Sequence, residues 1–144
     1  MLFYALQGSI FIILLVAASV IDIRKRIIPD EICVLIALTG LIFFEPVKLF
    51  GILTALLFLL AALFYGGMGG GDIKLMAASG IVLGIKGGIA ASVMGLTAML
   101  LFYAIYLIIQ RLRGKECQKA FPLAPFLSIG CIAAYFIVTG GITL

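Results

Sequence analysis

Long apolar runs separated by short polar stretches dominate this chain, and six such runs can be drawn along it. They are Leu2–Ile21, Ile32–Phe44, Leu49–Tyr65, Ile73–Ile85, Ile89–Ile109 and Phe121–Ile142. A helix that crosses a bilayer needs about 20 apolar residues, and long continuous runs are typical of such helices. The pattern therefore predicts an all-α integral membrane protein with about six transmembrane helices.

Two of the six runs are short, and glycines interrupt the pattern in two places. The second and fourth runs must borrow flanking residues or lie where the bilayer is thin. The fourth follows Gly-Gly-Met-Gly-Gly-Gly at 66–71, which is not a stable helix, so we expect a surface loop or part of a polar cavity. The spacing of Gly80, Gly84 and Gly88 predicts close helix packing.

The composition agrees with the pattern and excludes most soluble classes. The 144 residues are 65% hydrophobic and 11% charged, with a mean hydropathy of +1.37. A soluble domain has about 25% charged residues. The chain has too little polar surface for a soluble enzyme, a disordered tail or a nucleic-acid-binding module. We expect residues 1–144 to form a single polytopic membrane domain.

The positions of the basic residues predict an orientation. Cytoplasmic connections between membrane helices retain Lys and Arg. The odd-numbered connections hold eight basic residues and the even-numbered ones two, so the odd connections are predicted to be cytoplasmic and both termini outside. The two sets are Arg24, Lys25, Arg26, Lys74, Arg111, Arg113, Lys115 and Lys119, against Lys48 and Lys86. Topology thus explains the net charge of +4, and no nucleic-acid partner is predicted.

Few residues remain that could carry chemistry. The chain has no His, and its three Cys form no C-x-x-C pair, so no metal site or cofactor is predicted. Of the six acidic residues, Asp22 ends the first run and Asp72 follows the glycines. A carboxylate at a membrane-embedded position is costly and is therefore a candidate for function.

The two aspartates would come from different helices at one membrane face, where they could form a dyad. Like charges at close range do not both ionise easily, so such a pair shares a proton. One carboxylate can activate water as a base while the other protonates the carbonyl oxygen as an acid. Because Asp72 would begin a helix and Asp22 would end one, the helix dipole favours the charged form of Asp72.

Structural alternatives exist for each of these carboxylates. Asp72 could cap the helix that it begins, and Asp22 could balance the basic cluster 24–26. Asp30 and Glu31 follow Pro29 and could cap the second helix.

Three motifs in the chain resemble those of a known family. Residues 69–72, Gly-Gly-Gly-Asp, fit the G-x-G-D motif of intramembrane aspartic proteases. Asp22, followed by Arg24 and by Ile-Pro-Asp at 28–30, resembles the other aspartate motif of type IV prepilin peptidases. Phe-Pro-Leu-Ala-Pro-Phe-Leu at 121–127 resembles the proline-containing start of their last helix. The motifs occur in the family's order and together span nearly the whole chain.

The resemblance implies a membrane-embedded aspartic endopeptidase of the bacterial inner membrane. Such enzymes remove the short basic leader from pilin-like precursors at the cytoplasmic face, just before the precursor's apolar helix. The precursors and the lipid bilayer would be the partners, and no cofactor is expected. Asp22 and Asp72 would be the catalytic pair. Residues expected to bind substrate or shape the site are Gly69, Gly71, Pro29, Asp30, Lys74, Pro122 and Pro125. Lys74 is expected to set topology or bind lipid headgroups, and not to be catalytic.

The chain differs from the larger members of the family. Those carry a further cytoplasmic segment near the N-terminus, often with paired C-x-x-C motifs, and also methylate the new N-terminus. Here the first connection has only about ten residues and C-x-x-C is absent. The resemblance is therefore to the short, peptidase-only subclass, and N-methyltransferase activity is not expected.

Two other function classes fit the same pattern. Glycine-broken helices with intramembrane carboxylates also build ion sites in small transporters and channels. Against this, both aspartates are predicted near one face instead of the midplane, and no inverted repeat is visible. A non-catalytic membrane scaffold is the third possibility, and it predicts that neither aspartate matters beyond stability.

Overall fold

The described part of the chain is helical, as the apolar pattern predicts. A computed structural model describes residues 2–43, 45–65, 69–114 and 121–140, and no strand occurs among them. The helices are α1 Leu2–Lys25, α2 Asp30–Leu41, a 3-10 helix Pro46–Leu53, α3 Thr54–Tyr65, α4 Gly70–Arg113 and α5 Ala124–Thr139.

Three helical stretches are long and apolar enough to cross a bilayer. They are Leu2–Lys25, Pro46–Phe64 and Gly70–Arg113, and Ala124–Thr139 is a shorter apolar helix. Pro46–Phe64 contains the 3-10 helix and most of α3. These helices are consistent with a membrane protein. The count of six spans, the single polytopic domain and the location of the termini stay predictions.

The fourth and fifth apolar runs form two helical segments that meet at a sharp break at Gly84. Gly84 has φ 73° and ψ 178°, so α4 consists of the segments 70–83 and 85–113. This backbone conformation favours glycine because it has no Cβ. The sequence placed the connection between the two runs at residues 86–88. The break lies slightly earlier, at Gly84, and Lys86 belongs to the second helical segment. Gly84 therefore produces a break where the spacing of small residues predicted close packing.

The other two glycines of that spacing do pack closely, as predicted. A Cβ built at Gly80 would overlap the backbone oxygen of Gly51 in the 3-10 helix. A Cβ built at Gly88 would lie 2.5 Å from Cγ2 of Thr54. Thr54 Oγ1 in turn donates a hydrogen bond to Gly51 O at 2.7 Å. The 3-10 helix is thus held against α4 by contacts that only small residues permit.

Hydrogen bonds join the first turns of α1 to α2 and α5. Gln7 Nε2 donates to Thr39 O of α2 at 2.8 Å, and Tyr135 OH of α5 donates to Tyr4 O at 2.8 Å. In the second half of α1, Ser19 Oγ donates to Ser128 Oγ of α5 at 2.8 Å. These bonds fix the register of α1, and so determine where its last turn, with Asp22, lies among the other helices.

Candidate active site

One cavity of about 700 Å³ collects residues from three distant parts of the sequence. Its wall includes residues of the α1–α2 connection, the first turns of α4, and residues 121–123 before α5. Leu96 and Met99, from the second segment of α4, complete it. The α1–α2 connection, the start of α4 and the segment before α5 therefore meet at this cavity.

Asp22 lies in the last turns of α1, buried against the start of α5. The backbone N–H of Ala124, the first residue of α5, donates to Asp22 Oδ2 at 3.3 Å. The turn after Asp22 is closed by Arg26, which donates its N–H to Asp22 O at 2.8 Å and has φ 55°. The α1 terminus thus directs a carboxylate toward the N-terminal end of another helix.

Asp72 lies in the first turn of α4, and it is also buried. The helix is capped by Gly69, whose oxygen accepts the N–H of Asp72 at 3.1 Å, and no side chain makes a cap hydrogen bond. The interpretation of Asp72 as the capping residue is therefore wrong. Its Oδ1 is buried and has no hydrogen-bond partner within the described residues, which is unfavourable for a charged carboxylate.

The structure brings Asp22 and Asp72 into the same cavity, where the two carboxyl groups interact electrostatically. From the sequence, we expected Asp72 to be the charged carboxylate of the two because it begins a helix. That reasoning considered only the helix that carries each residue. Asp22 faces the N-terminal end of α5 and accepts its Ala124 N–H, so the helix dipole also favours a charge there.

Comparison with known proteins shows to which family this chain belongs. The sequence pattern of the type IV leader peptidase family matches residues 9–138. The chain belongs to the type IV leader peptidase family. A prepilin leader peptidase/N-methyltransferase of Bacillus subtilis (strain 168) is 35% identical over 143 residues, which cover 88% of this chain and 53% of the relative. The chain thus spans about half the length of that relative. No solved structure matches it significantly.

Asp30 and Lys74 form an ion pair at the wall of this cavity. Lys74 Nζ lies 2.7 Å from Asp30 Oδ1 and 2.8 Å from Oδ2, which joins the first turns of α2 and α4. Asp30 makes no cap hydrogen bond, so its interpretation as a helix cap is wrong. Lys74 was expected to serve topology or lipid headgroups, whereas its charge is paired with Asp30.

The ion pair is exposed, so we expect it to add little stability. The side chains of Lys74 and Asp30 are 55% and 69% exposed, and such pairs contribute about 0–1 kcal/mol. Lys74→Met and Asp30→Asn should each lower the free energy of unfolding by no more than about 1 kcal/mol. Denaturant unfolding in detergent checks this. A loss of several kcal/mol from either change would contradict it.

The predicted glycines line the cavity in different ways. Gly69 caps α4, and a Cβ at Gly70 would meet nothing within 4 Å. A Cβ at Gly71 would lie 3.0 Å from Cβ of Ile28, which also lines the cavity. Gly71 is therefore needed for the contact between the α1–α2 connection and α4. The earlier part of the glycine run, 66–68, lies outside the described residues.

Gly71→Val is expected to lower cleavage more than it lowers stability. The added side chain would push Ile28, which is part of the cavity wall, so we expect a loss of about tenfold or more in kcat/KM with a smaller effect on unfolding. Gly70→Val is the matched variant, because it adds the same side chain in open space and should leave the unfolding temperature unchanged. Parallel loss of activity and stability in Gly71→Val would indicate that packing alone is affected.

The three predicted prolines have separate positions. Pro122 lines the cavity, while Pro29 caps α2 with φ −64° and ψ 135°. Pro125 occupies the second position of α5, where it contributes no N–H. The N–H groups of Phe126 and Leu127 bond to Leu123 O, which leaves that of Ala124 for Asp22. Pro29 and Pro125 therefore lie at the starts of α2 and α5, the helices that flank the cavity, and help to define where these helices begin.

Several cavity residues were missed from the sequence. Arg26 was assigned to topology with its basic neighbours, and nothing in the sequence marks it as the residue with φ 55° that ends α1. Leu96 and Met99 lie inside an apolar run and give no signal. Phe121 belonged to the proline motif, but its packing against Phe102 and Tyr106 of α4 has no counterpart in the pattern.

Proposed function

We propose that this chain is a membrane-embedded aspartic endopeptidase that removes the short basic leader from type IV pilin-like precursors. The cleavage takes place at the cytoplasmic face of the bacterial inner membrane, which the chain crosses several times. The observation that carries this proposal is the meeting of Asp22 and Asp72 in one cavity at the end of an apolar helical bundle. Membership of the type IV leader peptidase family supports it.

The two carboxyl groups have distinct surroundings that fit an acid–base division of work. Asp22, which accepts the Ala124 N–H, is the base that takes a proton from water. Asp72, with its buried unpartnered oxygen, carries the proton that is delivered to the carbonyl oxygen. The water oxygen bonds to the carbonyl carbon. The C–N bond then breaks as Asp22 gives the proton it took from water to the leaving nitrogen. A hydroxyl of the tetrahedral intermediate returns its proton to Asp72 as the carbonyl forms again.

The size and position of the cavity also fit a peptide substrate. At about 700 Å³ it falls in the range of ligand-binding pockets, and it opens among connections instead of in the middle of the helices. A scissile bond just before an apolar helix would lie at this level when that helix is in the bilayer. We limit the proposed reaction to peptide cleavage and expect no methyl transfer.

The test is cleavage of a purified precursor by the protein reconstituted in liposomes. The precursor carries a basic leader, a Gly at the cleavage position and an apolar helix. We expect a shortened product, and mass spectrometry should place the cut before the apolar helix and find an unmethylated N-terminus. An intact precursor, together with ion flux through the liposomes that depends on Asp22 or Asp72, would support the transporter interpretation instead.

A further inference from the structure

A second cavity, of about 320 Å³, lies beside the catalytic one between α2 and the first segment of α4. Asp30 and Lys74 line both cavities. The rest of the second wall is apolar, and it consists of Cys33, Val34, Ala37, Ala77, Ala78 and Ile81. We call this second cavity the α2–α4 groove.

The α2–α4 groove lies between two contacts that join its helices. At one end the Asp30–Lys74 ion pair joins the two helices. At the other end α2 and α4 touch, because a Cβ at Gly40 would lie 2.9 Å from Cγ2 of Ile81. Between these ends the wall extends over about 10 Å of each helix. The small side chains of Ala37 and Ala77 leave the space that the groove occupies.

Resting on the peptidase function proposed above, we infer that the α2–α4 groove holds the apolar helix of the precursor. The groove starts at residues shared with the catalytic cavity and continues along the helices toward the other end of the bundle. A precursor whose scissile bond lies at Asp22 and Asp72 would have its following apolar residues in this direction.

The chemistry of the groove matches that of the occupant. The precursor changes from polar to apolar at the cleavage point. The two adjacent cavities, which share Asp30 and Lys74, change in the same way, from carboxylates to alanine and isoleucine. Small residues allow helices to approach closely in a membrane, where close packing drives association. Val34, which is 57% exposed, stands at the open side of the groove, where a helix could enter from the lipid.

Two substrates separate the role of the groove from that of the catalytic site. One is a complete precursor, and the other is a peptide that ends a few residues after the scissile bond. Ala77→Phe should lower kcat/KM for the precursor about tenfold, mainly by raising KM, and leave the short peptide unaffected. Ala62→Phe, at a similarly half-buried position of α3, is the matched control and should cleave both substrates normally.

The outcomes distinguish failure of the groove from failure of the peptidase function. If the wild-type protein cleaves neither substrate, the peptidase function itself is wrong. If it cleaves both, and Ala77→Phe loses activity on both equally or on neither, the groove does not hold the precursor's helix.

Photocrosslinking is a second test of whether the groove binds the precursor's apolar helix, and it does not depend on the folding of Ala77→Phe. A benzophenone amino acid at Val34, in an Asp22→Asn background that leaves the precursor intact, should form an adduct with the precursor's apolar segment. Ile13, which is 66% exposed on α1, provides the control position. Adducts that are no more frequent at position 34 than at 13, or adducts with lipid only, would overturn the inference.

Discussion

Replacing Asp22 or Asp72 with asparagine is expected to reduce cleavage of a pilin-like precursor by at least about 1,000-fold in kcat/KM. Asparagine has nearly the same size as aspartate, and its side-chain oxygen can still accept the Ala124 N–H that Asp22 accepts. It cannot take a proton from water or deliver one to a carbonyl oxygen. The fold should therefore survive while the chemistry is lost.

The comparison needs a carboxylate that lies near the cavity without lining it. Glu31 is exposed in the first turn of α2, and Glu31→Gln should retain normal cleavage. Initial rates measured in liposomes, together with the unfolding temperature of each variant, separate loss of catalysis from loss of structure. Full processing of the precursor by both Asp22→Asn and Asp72→Asn would exclude an aspartic mechanism.

Gly80→Val is expected to have the largest effect on stability, lowering the free energy of unfolding by about 3 kcal/mol or more. Gly80 and Gly51 are in backbone contact, since a Cβ built on either residue would overlap the carbonyl oxygen of the other. Backbone atoms cannot move aside as a flexible side chain does. The valine would separate the 3-10 helix from α4 and break the hydrogen bond from Thr54 Oγ1 to Met76 O at 3.4 Å.

Thermal unfolding in detergent, followed by circular dichroism, measures this effect. Size-exclusion chromatography shows whether the variant stays monodisperse. Ala62→Val adds two methyl groups at a half-buried position of α3 and should change stability by less than about 1 kcal/mol. Wild-type stability in Gly80→Val would mean that the contact between Gly51 and Gly80 is loose.

The helical fold, and the meeting of Asp22 and Asp72 in one cavity, could be predicted because each leaves a local signal. Apolar runs of helix length have few other solutions, and Asp22 and Asp72 stand at the ends of such runs. A connection between the fourth and fifth runs was predicted, but its position at Gly84 was not. Lys86, Gly87 and Gly88 together are typical of a connection, and only the φ of 73° at Gly84 lets the chain turn while Lys86 stays helical.

The contacts within the site depend on helix register, which the sequence pattern does not contain. Asp30 and Lys74 are 44 positions apart, and each had a satisfactory local interpretation as a cap or a topology signal. Their pairing follows only once α2 and α4 are placed side by side. The contact between Asp22 and the N–H of Ala124 likewise depends on how α1 packs against α5, which the bonds from Gln7 and Tyr135 help to set.

The contact at the start of α5 links a catalytic carboxylate to the position of a whole helix. Pro125 contributes no N–H, and Leu123 O already accepts those of the next two residues, so Ala124 is the first-turn donor that reaches Asp22. At 3.3 Å this bond is near its upper length. A shift of α5 along its axis by about one ångström would strengthen or break it. Residues 121–123 both precede α5 and form part of the cavity wall, so a displacement of that wall would also move the N–H that Asp22 accepts. The position of α5 therefore helps to set the electrostatic environment of Asp22.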